Sequence, residues 1–181
     1  MPDPIIIVPY DTKWQIEFKE IGKEIRQALG QTAIRIDHIG STSIEGLDAK
    51  PIVDIQVSVA RLEAIELYKS HFERIGFRHR VDNIDLTKRY FREKPGKRRV
   101  HIHVRESGSW SEQFALLFRD YLRVHPADCK KYAEEKYRLM ELFKDARERY
   151  VEGKEPVIWD IMTNASRWSQ EMGWKPGLTD V

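Results

Sequence analysis

Gly40-Ser41-Thr42-Ser43 is a short run of backbone-permissive and hydroxylated residues, and after Gly40-Ser41 twelve residues intervene before Asp54. Glycine lets a backbone approach a phosphate closely. The N–H groups and hydroxyls of Ser41, Thr42 and Ser43 can hold phosphate oxygens, above all where a helix begins. If Asp54-Ile55-Gln56-Val57 is a strand, side chains 54 and 56 share one face about 6–7 Å apart. Two carboxylates at that separation would hold divalent metal and position an attacking hydroxyl. Here only Asp54 is acidic, and Gln56 is neutral. Lys50, just before the strand, adds a cation at the same end. The spacing alone also fits a Gly-Ser turn beside a buried strand with one stray acid.

A second constellation is His101-x-His103, with both imidazoles on one face of a strand. Asp54, Gln56 and His103 together would carry a single negative charge, too little for two magnesium ions, which prefer several oxygen anions. Imidazole suits zinc, manganese, iron or nickel better. The expected cofactor is therefore a divalent metal (magnesium, manganese or zinc) held by Asp54, His101 and His103. The bland alternative is that the histidines face solvent or hydrogen-bond Asp54. A histidine-triad hydrolase would need a third histidine where Arg105 stands, so that reading fails. His38 is expected near the same pocket, His71 and His79 on the surface, and His125 at a helix end.

Candidate phosphate clamps are helical or strand cations. Arg119 and Arg123 lie four apart and share a helix face, as do Tyr132 and Lys136. Arg89 is a further candidate. Pairing with Asp120 or Glu112 is the commoner fate of such charges. The cations between Lys94 and Arg99 read as a solvated hairpin tip or, alternatively, as an RNA or phosphate contact, and the five tryptophans mostly as packing anchors.

These residues need elements to place them. Asp11-Thr12 can cap a helix running to Leu29, closed by Gly30. Residues 33–39 read as a strand with Ile34 and Ile36 on one face, residues 40–51 as a loop, and residues 52–59 as a β-branched strand. A helix over 62–75 with Gly76 after it and a strand over 77–81 are predicted next. Strands over 87–92 and 98–104 follow, joined at Lys94-Pro95-Gly96-Lys97. Val100, Ile102 and Val104 alternate with His101, His103 and Arg105. Helices are predicted over 111–124, 126–150 and from Glu155 onward. The expectation is one domain, an α/β core over 1–105 with a helical extension over 110–175 packed on it.

With 181 residues, 41% apolar and 33% charged, the chain reads as an ordinary soluble globular domain. A formal charge of +2 does not by itself call for nucleic acid or an anionic membrane. Cys129 is the single cysteine and cannot form an intrachain disulfide, which fits a reducing cytoplasm. No basic leader precedes the short run Ile5–Val8, and no apolar stretch is long enough to span a bilayer. A cytoplasmic location is expected.

Taken together, His38-Ile39-Gly40-Ser41-Thr42-Ser43-Ile44, Gly46-Leu47 and Ala49-Lys50-Pro51-Ile52-Val53-Asp54-Ile55 closely resemble the GrpB-like family of nucleotidyltransferase-fold proteins. Val8-Pro9-Tyr10, Trp14, Phe18, Val100-His101-Ile102-His103-Val104, Phe118-Arg119-Asp120-Tyr121-Leu122-Arg123, His125-Pro126, Tyr132 and Lys136 extend the resemblance over nearly the whole chain. Glu45 departs from it, since the family usually has proline there. The resemblance implies an α+β fold, a nucleotidyltransferase-like mixed sheet flanked by helices with a C-terminal helical segment. It implies transfer of a nucleoside monophosphate from a nucleoside triphosphate to a small acceptor, or a non-catalytic nucleotide- or metabolite-binding module on the same fold. A metal-dependent phosphoester hydrolase is a third reading, resting on the two histidines. The site residues would be Asp54, Gln56 and Lys50 for chemistry, and Gly40, Ser41, Thr42, Ser43, Arg89, Arg119, Arg123 and Lys136 for the nucleotide. The expected partner is a nucleotide or small phosphorylated metabolite and no membrane, with nucleic acid the less favoured alternative. Relatives are also found fused to dephospho-coenzyme A kinase domains. This chain has no Gly-x-x-x-x-Gly-Lys-Ser/Thr loop, so kinase activity is not carried over.

Overall fold

A computed structural model describes residues 4–181. Helix α1 (Lys13–Leu29) turns Trp14, Phe18, Ile25 and Leu29 inward at helical spacing, while Ile16 is exposed. Gly30, at φ 54°, ends it. Strands β1 (Arg35–Ile39), β2 (Val53–Val59), β3 (Phe77–His79), β4 (Arg89–Glu93) and β5 (Val100–Glu106) form one sheet in the order β1-β2-β5-β4-β3. Only β2 and β5 run parallel, and the other neighbours are antiparallel.

Pleating sorts the two faces. Val53, Ile55, Val57, Val100, Ile102, Val104 and Phe91 form a core with α1 and with α2 (Lys69–Arg74). Asp54, Gln56, His101, His103 and Tyr90 occupy the other face. There Gln56 and Ser58 lie against Glu112 of helix α3 (Trp110–Val124). Helices α4 (Pro126–Leu142), α5 (Arg147–Gly153) and α6 (Glu155–Met172) complete the chain. A second core joins α3, α4 and α6 to Ile44 and Leu47 of the loop after β1. The open edge of β1 is covered by residues 179–181, whose backbone and Thr179 hydroxyl bond Ile36.

Three expectations change. The helix predicted over 62–75 divides into a 3₁₀ turn at Ile65–Leu67 and the short α2. Ile34 lies outside β1 and is 47% exposed, whereas Ile36 is fully buried. The helix predicted to reach residue 150 breaks after Leu142, where Phe143 leaves helical geometry. The break lets Ile5 donate to the Lys144 carbonyl and brings Tyr150 into a third core with Ile5, Ile7 and Leu139. No helix among the described residues is long and apolar enough to cross a membrane.

Candidate functional site

Strand β1 ends in Gly40 at φ 70°, a conformation that L side chains rarely adopt. A Cβ at Gly40 would stand 2.8 Å from Asp54 Oδ2, so the turn lies directly on the carboxylate. Ser41–Ser43 forms one 3₁₀ turn, closed by Ser43 Oγ donating to the Gly40 carbonyl at 2.6 Å. Asp54 pairs across the sheet with His101, and Gln56 with His103. His103 Nε2 lies 3.1 Å and His101 Nδ1 3.3 Å from Asp54 Oδ1. Tyr90 packs against both rings, with centroids 5.4 Å away in each case.

Burial opposes charge on Asp54, but the two histidine hydrogen bonds outweigh it and hold the carboxyl well below the usual range. Burial lowers His103 to about 4 even though Asp54 raises it. Each ring also has a second nitrogen, His101 Nε2 and His103 Nδ1, that is buried with no protein partner. The donor atoms of Asp54, His101 and His103 all lie within 4.8 Å of one another, a group that could hold one metal ion. Two donors bound at about 2.0–2.2 Å to one ion stand about 3.0–3.5 Å apart, which matches the two Asp54–histidine separations. The donor set does not fit a pair of magnesium ions, since it offers one carboxylate and two imidazoles.

This group forms part of the wall of a cavity of about 380 Å³. Five cations line it, Lys50, Lys88, Lys136, Arg147 and Lys154, against one carboxylate, Asp54. Lys136 donates to Ser41 Oγ at 3.1 Å and to the Asp48 carbonyl, and stands over the Tyr132 ring. Lys50 and Lys154 flank Tyr150 at 4.6 and 5.0 Å from its centroid. The side chains of Lys50, Arg147 and Lys154 form no hydrogen bond or ion pair among the described residues. Burial, with neighbouring cations adding to it, lowers Lys136 to about 7 and Lys50 to about 8.

Of the residues singled out from the sequence, the cavity gathers Ser41, Thr42, Lys50, Asp54, His101, His103 and Lys136. Other expected residues are elsewhere. Gln56 is fully buried, accepts from Arg105 and donates to the Glu112 carbonyl at 3.4 Å, so it supports α3 rather than lining the cavity. Ser43 is buried beneath the turn. Arg119 is neutralised by Asp180 at 2.9 Å, Asp120 at 2.8 Å and Asp37 at 3.8 Å, and donates to the His38 carbonyl. Arg123 grips the Ser43 carbonyl through two nitrogens. Arg89 shares a register position with Val104, on the opposite sheet face, and donates to the Leu86 and Lys88 carbonyls. His38 also sits on that face, stacked on Phe18 at 4.7 Å, and burial lowers it to about 3.

Lys88, Tyr90, Arg147, Tyr150 and Lys154 are cavity residues that sequence reasoning missed. Lys88 and Tyr90 belong to the face opposite Arg89, a parity legible only once the β4 register is known. The other three depend on the break after Leu142. Cys129 is half-buried, and burial raises its thiol against the pull of the Lys136 charge. His125 stacks on Tyr121 and bonds its carbonyl at the end of α3, a helix-end role. Trp14 packs in the core, but Trp110 and Trp159 are more than half exposed.

A mixed sheet in which a glycine-serine turn abuts an acid on the neighbouring strand defines a nucleotidyltransferase-type fold. The structure of the GLD-2/RNP-8 complex shares it at a TM-score of 0.51, covering 83% of this chain and 58% of that one with 10% identity, a likeness of fold alone. The family model for GrpB protein matches residues 4–164, and the chain belongs to the GrpB family. The conserved protein GrpB from Enterococcus faecalis superposes with a TM-score of 0.81 at 33% identity, covering 90% of this chain and 99% of that one. The UPF0157 protein YqkA of Bacillus subtilis is 36% identical over 164 residues, 91% of this chain and 48% of YqkA. A dephospho-CoA kinase of Mycobacterium bovis is 30% identical over 203 aligned positions, 96% of this chain and 49% of that protein. The chain therefore spans about half the length of these two relatives.

Proposed function

We propose that the chain transfers a nucleoside monophosphate from a nucleoside triphosphate to a small hydroxylated acceptor, aided by one divalent ion at Asp54, His101 and His103. The observation that carries this reading is the charge of the cavity: five cations and one carboxylate enclose the end of the sheet where Asp54 lies. Such a cavity favours a polyanion, because low-dielectric walls strengthen each charge-assisted contact. A bound ion would neutralise charge on the transferring phosphoryl oxygens. Ser41 and Thr42 line the triphosphate's binding space, with Lys50, Arg147 and Lys154 around it. Asp54, held ionised, orients the acceptor hydroxyl. The acceptor oxygen forms a bond to the α-phosphorus as the bond to the bridging oxygen breaks. Pyrophosphate leaves among the lysines, and the hydroxyl proton passes to water.

The direct test incubates purified protein and α-phosphate-labelled nucleoside triphosphates with manganese, zinc or magnesium and a pool of hydroxylated metabolites. Label transferred to an acceptor, and lost in Asp54→Asn, is expected. No transfer with any of the three metals, despite measured nucleotide binding, would instead support the second reading, a non-catalytic nucleotide-binding module. Gln56 favours that alternative, since the second carboxylate of a two-metal site is replaced by a buried amide.

A further inference from the structure

Asp54 and His103 line a second space, a cleft of about 260 Å³ between the end of the sheet and helices α3 and α6. Its character is the reverse of the cavity's. Apart from Gly40, Asp54 and His103, its walls are Ile39, Phe114, Ala115, Phe118, Ile158 and the single cation Arg105. Arg105 donates to Gln56 Oε1 on one side, while its Nε–H is buried with no partner. A buried donor left without an acceptor is destabilising, so an acceptor supplied by a ligand fits this position. Phe114 also lines the exposed groove of Trp110, Trp159 and Trp174, so apolar surface runs from solvent to Asp54.

From these two compartments meeting at Asp54, we infer that the cleft is the acceptor site and that it takes a small molecule with an apolar, preferably aromatic, body and one hydroxyl. Arg105 Nε–H bonds a ligand oxygen, and the apolar walls disfavour polyols and sugars, most of whose hydroxyls would face Ile39, Phe114, Ala115, Phe118 and Ile158 and lose their hydration, with only Arg105, Asp54 and His103 as polar side chains to meet them. The inference rests on the nucleotidyl-transfer reading for the role of the hydroxyl, while the binding preference stands on the cleft alone.

The experiment titrates benzyl alcohol and, separately, glycerol into isotope-labelled full-length protein and follows its amide and Arg105 side-chain resonances. Pyrophosphate binding is measured by calorimetry on the same preparations. Benzyl alcohol is expected to shift Arg105 Nε–H, Ala115 and Phe118 and to leave Lys154 unmoved, with glycerol shifting none of the four. Ala115→Leu, which fills the cleft, should weaken benzyl alcohol roughly tenfold and leave pyrophosphate affinity within about twofold. Arg105→Met keeps the volume and should weaken it less. Thermal unfolding checks that both variants fold, and if Ala115→Leu does not, Arg105→Met decides. Equal binding of glycerol, unaltered affinity in the folded variants, or shifts confined to Trp110 and Trp159 would each overturn the inference. Loss of pyrophosphate binding with benzyl alcohol still bound at Arg105 would overturn the nucleotide reading and leave the cleft assignment standing.

Discussion

Two groups of cations surround the same loop and behave in opposite ways. Arg119 and Arg123 on α3 are saturated: three carboxylates lie within 4.0 Å of Arg119, and both arginines donate to carbonyls at the start of the loop. Lys50, Arg147 and Lys154 line the cavity with an aromatic ring or nothing as their neighbour. The first group spends its charge holding α3, β1 and the C-terminal tail together. The second keeps its charge available. What distinguishes a structural cation from a binding one here is the number of acceptors around it, which residue type and helical spacing do not reveal.

The largest effect expected from breaking this comparison is on stability. Arg119→Ala leaves Asp37 fully buried beside Asp180, with Arg35 at 2.8 Å as its remaining partner. Burial already raises Asp37 against the pull of Arg35 and Arg119. Removing one member of such a buried network costs about 3–5 kcal/mol, readable as a lower denaturation midpoint. The fraction that remains folded should bind pyrophosphate normally. A variant that unfolds no earlier, yet loses pyrophosphate, would place Arg119 in the binding set.

Lys154→Ala and Lys50→Ala should do the reverse. Neither lysine has a hydrogen bond to lose, and each is partly buried, so stability is expected to hold or rise slightly. Pyrophosphate affinity should fall roughly ten- to a hundredfold, since hydrogen bonds to charged groups are worth about 1.5–3 kcal/mol and 1.4 kcal/mol is tenfold. Calorimetry at two salt concentrations checks both the loss and its partial screening.

These outcomes bear on what the sequence made legible. Gly40, Ser41, Thr42 and Asp54 were readable because a permissive turn and a β-branched strand are local patterns, and His101-x-His103 because alternation fixes a face. The sheet's partner choice was not local: only the β2–β5 register sets His101 opposite Asp54. Arg89 was misplaced by one residue of strand parity, which exchanged it for Lys88 at the cavity wall. The α4–α5 break was hidden because residues 126–150 carry no proline or glycine after Pro126 to announce it. Arg147, Tyr150 and Lys154 reach the cavity only through that break.

A pH series sharpens the same contrast at smaller scale. Lys136 and Lys50 titrate at about 7 and about 8, below the ordinary lysine value, chiefly through burial. Sulfate remains a dianion throughout this window and is a clean probe. Its affinity should fall about tenfold from pH 6 to pH 9 as the two lysines discharge, the worth of one charge-assisted bond. Stability should move the other way. The unfolded lysines bind protons up to about 10.4, more than the folded ones do, so unfolding free energy rises with pH from about 7 upward. Lys136→Met should flatten both profiles, whereas Arg123→Lys should flatten neither.

The smallest effect concerns the loop itself, which Lys136 of the cavity holds at Ser41 and Arg123 of α3 holds at Ser43. Glu45, where the sequence resemblance leads to an expectation of proline, is exposed. Ile44 already has φ −113° and ψ 115°, the extended geometry required before proline. The Glu45 N–H donates to no acceptor among the described residues. Glu45→Pro therefore removes no bond and restricts only the unfolded chain, which is worth about 0.4–1 kcal/mol of added stability. Because the loop's native geometry is unchanged, pyrophosphate and sulfate affinities should stay within about twofold. A gain in stability accompanied by a loss of anion affinity would mean that the loop must move to admit its ligand, and the cation-lined cavity would then need a wider opening than the one described.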